Sequence, residues 1–192
     1  MVYLITGGSG SGKSEYAEQL VMSLGERKRY YIATMEAFGE EGRRRVLRHR
    51  RLREGKGFLT AECPRNLGNI SESFEASSVL LLECVSNLAA NEMFGGRWEG
   101  RNRGEETEIL ADFVADEVKE LAGRTADMVI VTNEVGGDGI LYEEETMEYI
   151  RLMGLVNRRL AEAADQVIEV VYGIPVMLKK KEKISGGGHE TD

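Results

Sequence analysis

Three observations predict an α/β fold with a mostly parallel sheet covered by helices on both faces. Short, largely apolar runs recur along the chain, charged segments with helical patterning separate them, and glycines gather where the apolar runs stop. The first run, Val2 to Thr6, ends at Gly7-Gly8 and reads as a buried strand feeding a tight turn. From Lys13 to Leu24 the positions Tyr16, Ala17, Leu20, Val21 and Leu24 keep helical spacing, with Gly25 as the stop. Strands follow at 29–34, 79–83, 128–132 and 166–171, and helices at roughly 40–53, 85–94, 105–122 and 144–164. Residues 95–108 show no apolar period and read as a long mobile loop. The polar, glycine-rich end KKKEKISGGGHETD reads as a frayed tail, so one catalytic domain is expected over 1–180 and a flexible tail over 181–192.

Composition narrows the function. The 192 residues are 42% hydrophobic and 30% charged, ordinary for one globular domain and too apolar for disorder. A net charge of -8 argues against general binding to nucleic acid or anionic membrane. No apolar run approaches the ~20 residues of a membrane span, and MVYLITGG lacks the pattern of a secretory signal, so a cytoplasmic location is expected. Cys63 and Cys84 have neither a CxxC partner nor metal-ligand spacing and read as reduced thiols.

In a parallel sheet, ligands bind beyond the carboxyl ends of the strands. There the chain places Gly7–Ser14, Thr34–Glu36, Glu83 and Thr132–Gly136. Gly7-Gly8-Ser9-Gly10-Ser11-Gly12-Lys13-Ser14 fits G-x-x-x-x-G-K-[ST]. Its glycines let backbone N–H groups turn inward on phosphate oxygens, and the following helix adds its positive end. Lys13 reaches the β- and γ-phosphates, and the Ser14 hydroxyl holds Mg²⁺. A nucleoside triphosphate with magnesium is therefore the expected ligand. Glu83, closing VLLLE, reads as a magnesium-side carboxylate, an acceptor for guanine N–H groups, or a plain strand end. Asn133 and Glu134 read either as substrate or magnesium contacts or as a turn satisfied by its own side chains.

Between Arg43 and Lys56 stand eight basic residues and one acid, a local +7 that leaves -15 for the rest of the chain. Such an island serves a specific anion or solvates a helix face. Because arginine grips phosphate oxygens bidentately, a polyphosphate is the economical anion, and no aromatic interleaving points to single-stranded nucleic acid. His49 lies inside the island. Neutral imidazole is a good nucleophile toward phosphorus, and neighbouring arginines disfavour its charged form. An inert helix-surface histidine is the competing reading.

The chain resembles the adenosylcobinamide kinase/adenosylcobinamide-phosphate guanylyltransferases of cobalamin assembly. The similar segments run in order as LITGGSGSGKS (4–14), YIAT (31–34), RVLRHRRLR (45–53), TAEC (60–63), LLLECVSNL (80–88), VTNEVG (131–136), VNRRLAEAADQV (156–167) and VVYGIPVMLK (170–179). The resemblance implies a RecA-like phosphate-loop fold, a homotrimer, and two reactions. ATP or GTP phosphorylates the aminopropanol hydroxyl of adenosylcobinamide. GMP from GTP then passes, through a covalent guanylyl-histidine, to the cobinamide phosphate, with release of pyrophosphate. It implies that His49 carries the GMP and that Lys13 serves the kinase step. Nucleotide contacts would come from Gly7, Gly8, Ser9, Gly10, Ser11, Gly12, Lys13, Ser14, Thr34, Met35, Glu36, Arg50, Arg51, Leu52, Arg53, Glu62 and Glu83. The chain departs from the family pattern at Gly154-Leu155-Val156-Asn157, where the family has arginine in place of Leu155, and at the acidic LYEEE (141–145), where it has a proline-containing segment. A single-activity guanylyltransferase, a small-molecule phosphate-loop kinase and a nucleotide-dependent switch are the rival functions.

Overall fold

The computed structural model describes residues 1–36, 39–95, 103–137 and 139–181, without the side chains of Glu41, Arg43, Arg45, His49, Leu52, Arg103 and Gly104. Seven strands form one sheet: β1 (Val2–Thr6), β2 (Arg29–Ala33), β3 (Phe58–Glu62), β4 (Val79–Glu83), β5 (Asp127–Val131), β6 (Gln166–Val171) and β7 (Ile174–Lys180). Their order is β3-β2-β4-β5-β1-β6-β7. All neighbours are parallel except the β6–β7 pair. The helices are α1 (Lys13–Ser23), α2 (Gly39–Leu52), α3 (Val85–Phe94), α4 (Arg103–Gly123) and α5 (Glu144–Ala163), with a 3₁₀ segment at Leu67–Ser73.

Strand alternation sorts the core into two layers. Tyr3, Ile5, Val79, Leu81, Val129, Val131, Ile168 and Val170 pack with Ala17 and Val21 of α1. Leu4, Leu80, Leu82, Met128 and Ile130 pack on the other face with α3, α4 and α5, through residues such as Leu88, Val114 and Val156. The central strands are apolar at every position because each face meets a helix, which is why they read so plainly from sequence.

The edges are where sequence and structure part. FLTAE at β3 was not anticipated, because its five residues are mixed in polarity and only partly buried. β7 was hidden by Pro175, which cannot donate in a ladder interior but is tolerated at a sheet edge. The hairpin joining it to β6 turns on Tyr172 and Gly173, with φ of 51° and 79°. Both positive angles suit a two-residue turn of the type that follows strand twist. Lys179, the first residue of the polar end, donates to the Ala161 and Glu162 carbonyls at 2.7 and 2.9 Å, and Lys181 donates to the Ala163 carbonyl at 3.3 Å. The last turn of α5 holds no basic residue, so the edge strand brings the cations that satisfy its free carbonyls. The rest of the tail, 182–192, lies outside the described residues.

The 95–108 loop needs correction, since α4 already begins at Arg103. Glu105 and Glu106 favour a helix start, and Thr107, buried, donates to Glu148 Oε2 at 2.6 Å. Residues 96–102 lie outside the described residues. The acidic LYEEE likewise has a local reason, for Glu143 precedes α5 and Glu144 and Glu145 occupy its first turn. Leu155 is partly buried against the core.

Asp165 closes the sheet at the ends opposite the phosphate loop. Its Oδ2 accepts the Val2 N–H at 2.8 Å, its own N–H donates to the Val2 carbonyl at 2.9 Å, and Lys181 lies 3.3 Å from Oδ1. The Val2 hydrogen bond, followed by Lys181, holds the carboxyl below the ordinary aspartate value, against a partial burial that raises it. A depressed folded-state pKa means stabilisation that is complete above the unfolded value of about 4 and lost as pH falls through the folded one. Asp165→Asn should therefore lower Tm at pH 7, and its deficit against wild type should shrink below about pH 4 in a Tm-versus-pH series.

Candidate active site

The loop after β1 shapes the site. Gly7, Gly10 and Gly12 have φ of 147°, 72° and 91°. At Gly7 a Cβ would stand 2.5 Å from the Val170 carbonyl oxygen, and at Gly12 it would stand 3.3 Å from Gly173 Cα. Gly173 also donates its N–H to the Ser11 carbonyl at 2.8 Å. The β6–β7 turn thus presses on the loop, and only glycine leaves room for that approach.

A cavity of about 510 Å³ opens over the carboxyl ends of β1, β2 and β4. The loop contributes Ser9, Gly10, Lys13 and Ser14 to it, while α2 and the turn after it contribute Arg48, Arg50 and Arg53. Met35, Glu62, Glu83 and Asn133 complete the predicted residues lining it. Lys13 Nζ donates to the Gly8 carbonyl at 2.9 Å. Burial pushes its ammonium below the ordinary lysine value, while Cys84 and Glu83 pull it back up. Ser14 Oγ donates to Glu83 Oε1 at 2.5 Å, and the Tyr31 hydroxyl donates to Glu83 Oε2 at 3.1 Å. A hydroxyl and a carboxylate side by side at the loop are hard oxygen donors of the kind Mg²⁺ takes.

The basic island reaches the cavity through its C-terminal end. Arg50 pairs with Glu62 across the cavity wall. Arg53, only 7% exposed, lays its guanidinium 3.3 Å from the centroid of the Tyr31 ring. Its Nε and Nη1 have no hydrogen-bond partner. A buried guanidinium with unused donors beside a phosphate loop is suited to an anion. Lys56 anchors the turn beyond α2 by pairing with the buried Glu18 of α1. Arg51 is exposed. The backbones of His49 and Leu52 belong to α2, and their side chains lie outside the described residues.

Two predicted positions act behind the cavity wall. Thr34, fully buried, donates its hydroxyl to the Cys84 carbonyl at 2.8 Å and accepts the Cys84 N–H at 2.8 Å. Glu36 pairs with Arg65 at 2.6 Å, and Arg65 Nη1 donates to the Gly95 carbonyl at 3.3 Å. Asn91 ties the same region by donating to the Thr34 and Pro64 carbonyls at 2.8 and 3.0 Å. Asn133 donates to Ser86 Oγ at 2.5 Å, whereas Glu134 is exposed. Both cysteines are free, and Cys84 lies in the cavity wall with its thiol pushed up by burial. Sequence reasoning passed over Tyr31, Val46, Thr60 and Asn87, which also line the cavity. Tyr31 had a signal in its place two residues before the end of a strand that stops at the site.

Among the described residues no helix is long and apolar enough to cross a membrane. Solved structures share the architecture at low identity. The flagellar accessory protein FlaH from Methanocaldococcus jannaschii matches with a TM-score of 0.50 and 15% identity, over 94% of this chain and 78% of that one. A prototypical ATPase from the type III secretion system of pathogenic bacteria matches with a TM-score of 0.54 and 15% identity, over 92% of this chain and 56% of that one. Sequence relatives are nearer. The bifunctional adenosylcobalamin biosynthesis protein CobU of Salmonella typhimurium is 37% identical, over 93% of this chain and all of its own length. Its namesake in Escherichia coli is 33% identical over the same shares. The protein CobP of Pseudomonas aeruginosa, described in the same words, is 31% identical over 92% of this chain and 96% of its own. Residues 3–178 match the family described as cobinamide kinase / cobinamide phosphate guanyltransferase. With a phosphate loop and buried arginine facing one cavity, and relatives matched along nearly their whole length, the chain belongs to that family of bifunctional cobalamin-biosynthesis enzymes.

Proposed function

We propose that the chain phosphorylates adenosylcobinamide with ATP or GTP, then transfers GMP from GTP to adenosylcobinamide phosphate through a guanylyl-histidine at His49. The observation that carries this reading is the single cavity into which both the phosphate loop and the arginines of α2 open. In the kinase step the loop N–H groups and Lys13 hold the β- and γ-phosphates. The corrinoid hydroxyl oxygen bonds to the γ-phosphorus as the bond to the β-phosphate oxygen breaks, and the nucleoside diphosphate leaves. Ser14 would hold Mg²⁺ with Glu83 beside it, and the ion's charge would offset that of the phosphates. This chain's own part is positioning: Lys13 is held at the Gly8 carbonyl, and Glu83 is held from both sides.

In the second step an imidazole nitrogen of His49 bonds to the α-phosphorus of GTP, and the bond to the β-phosphate oxygen breaks, releasing pyrophosphate. A phosphate oxygen of the corrinoid then displaces the histidine, which regains its free form. Arg50 and Arg53 stand one and four residues beyond His49, on the side of α2 nearest the loop, as anion partners for the phosphates being cleaved. A homotrimer is proposed as the working assembly. What supports self-association is the edge strand β7, where Ile174, Met177 and Leu178 are exposed.

Incubation with GTP and Mg²⁺ should add a GMP-sized mass to the intact wild-type protein under conditions that spare phosphoramidates. His49→Ala should show no adduct while keeping most phosphate transfer from ATP to cobinamide. An unmodified wild type that still binds GTP would overturn the covalent step. Lys13→Ala should slow phosphate transfer by about a hundredfold or more, with Tm little changed. Sedimentation should give three times the chain mass for wild type, and Leu178→Lys should shift the species toward monomer.

A further inference from the structure

We propose that Tyr31 is the positioning residue of Glu83: its phenol holds one carboxylate oxygen so that the other stays turned to Ser14 and to the cation of a bound nucleotide. The placement follows from the sheet. Tyr31 pairs with Leu81 in the parallel β2–β4 ladder, so its side chain, on the α1 face, reaches up the strands to the carboxylate two residues beyond. The hydroxyl donates to Glu83 Oε2 at 3.1 Å while Ser14 takes Oε1. The ring is 4% exposed, with the Arg53 guanidinium over its face and Phe58 packed edge-on at 6.4 Å.

A phenylalanine would fill that space and stack with Arg53. The hydroxyl is therefore there for the carboxylate, since a half-buried carboxylate oxygen without a donor is costly and free to turn away. Burial and the neighbouring Glu83 charge push the phenol far above its ordinary pKa, so it stays a donor throughout the working range. One side chain thus fixes two parts of the cavity wall. Its face holds the arginine whose Nε and Nη1 are unused, and its tip holds the acid beside the phosphate loop.

The proposal rests on Glu83 as the magnesium-side carboxylate, and the experiment separates the two. Binding of a fluorescent GTP analogue is titrated with Mg²⁺, and repeated in EDTA, for wild type, Tyr31→Phe, Glu83→Gln and the double variant. Tyr31→Phe should raise the Mg²⁺ concentration for half-maximal tight binding by about tenfold while leaving affinity in EDTA within about twofold. The double variant should be no worse than Glu83→Gln alone, because the phenol acts only through that carboxylate. Wild-type Mg²⁺ dependence in Tyr31→Phe, an equal loss with and without Mg²⁺, or effects that multiply in the double variant would each overturn the role of Tyr31. Unchanged Mg²⁺ dependence in Glu83→Gln would instead remove the reading of Glu83 on which it rests.

Discussion

The shared carboxylate of Glu83 is the point on which the site turns. One oxygen takes the Ser14 hydroxyl from the first turn of α1 and the other takes the Tyr31 phenol from β2. Three elements distant in sequence therefore meet at one buried group, and each supplies a part that nucleotide chemistry needs. The strands on either side are parallel and in register, which fixes the relative heights of Tyr31 and Glu83 to within a residue. A rigid sheet below is what allows a few hydrogen bonds to hold a reactive geometry.

The phosphate loop depends on a second, steric constraint. The β6–β7 turn lies so close that Gly7 and Gly12 have no space for a side chain, and the Gly173 N–H closes on the Ser11 carbonyl. The antiparallel edge hairpin is thus part of the nucleotide site's support although none of its residues lines the cavity. It also supplies the lysines that satisfy the last carbonyls of α5. One short hairpin braces the loop at one end of the sheet and a helix terminus at the other.

Charge is distributed in the same local way. A chain of net -8 carries an arginine-rich helix, and its acids answer those cations in pairs: Glu62 to Arg50, Glu18 to Lys56 and Glu36 to Arg65. Arg53 departs from this pattern. It is buried on an aromatic face with two nitrogens unused, the arrangement expected of a cation kept for a ligand's phosphates. Stacking on Tyr31 offsets part of the cost of burying it before that ligand arrives.

The sequence by itself determined the central strands, four of the five helices to within a few residues and the phosphate loop, because each is a local pattern. Apolar runs buried on both faces, helical spacing and a glycine-rich turn before Lys13-Ser14 are visible within a dozen residues. Motifs in order along nearly the whole chain gave the family as well. Only the tertiary structure decided what stands opposite what. It made IPVMLKK an edge strand despite its proline, started α4 inside a stretch without apolar period, and placed Thr34 behind the cavity wall while bringing Tyr31 and Asn87 to its surface. Those outcomes depend on strand order and register, contacts between residues tens of positions apart that no local pattern records.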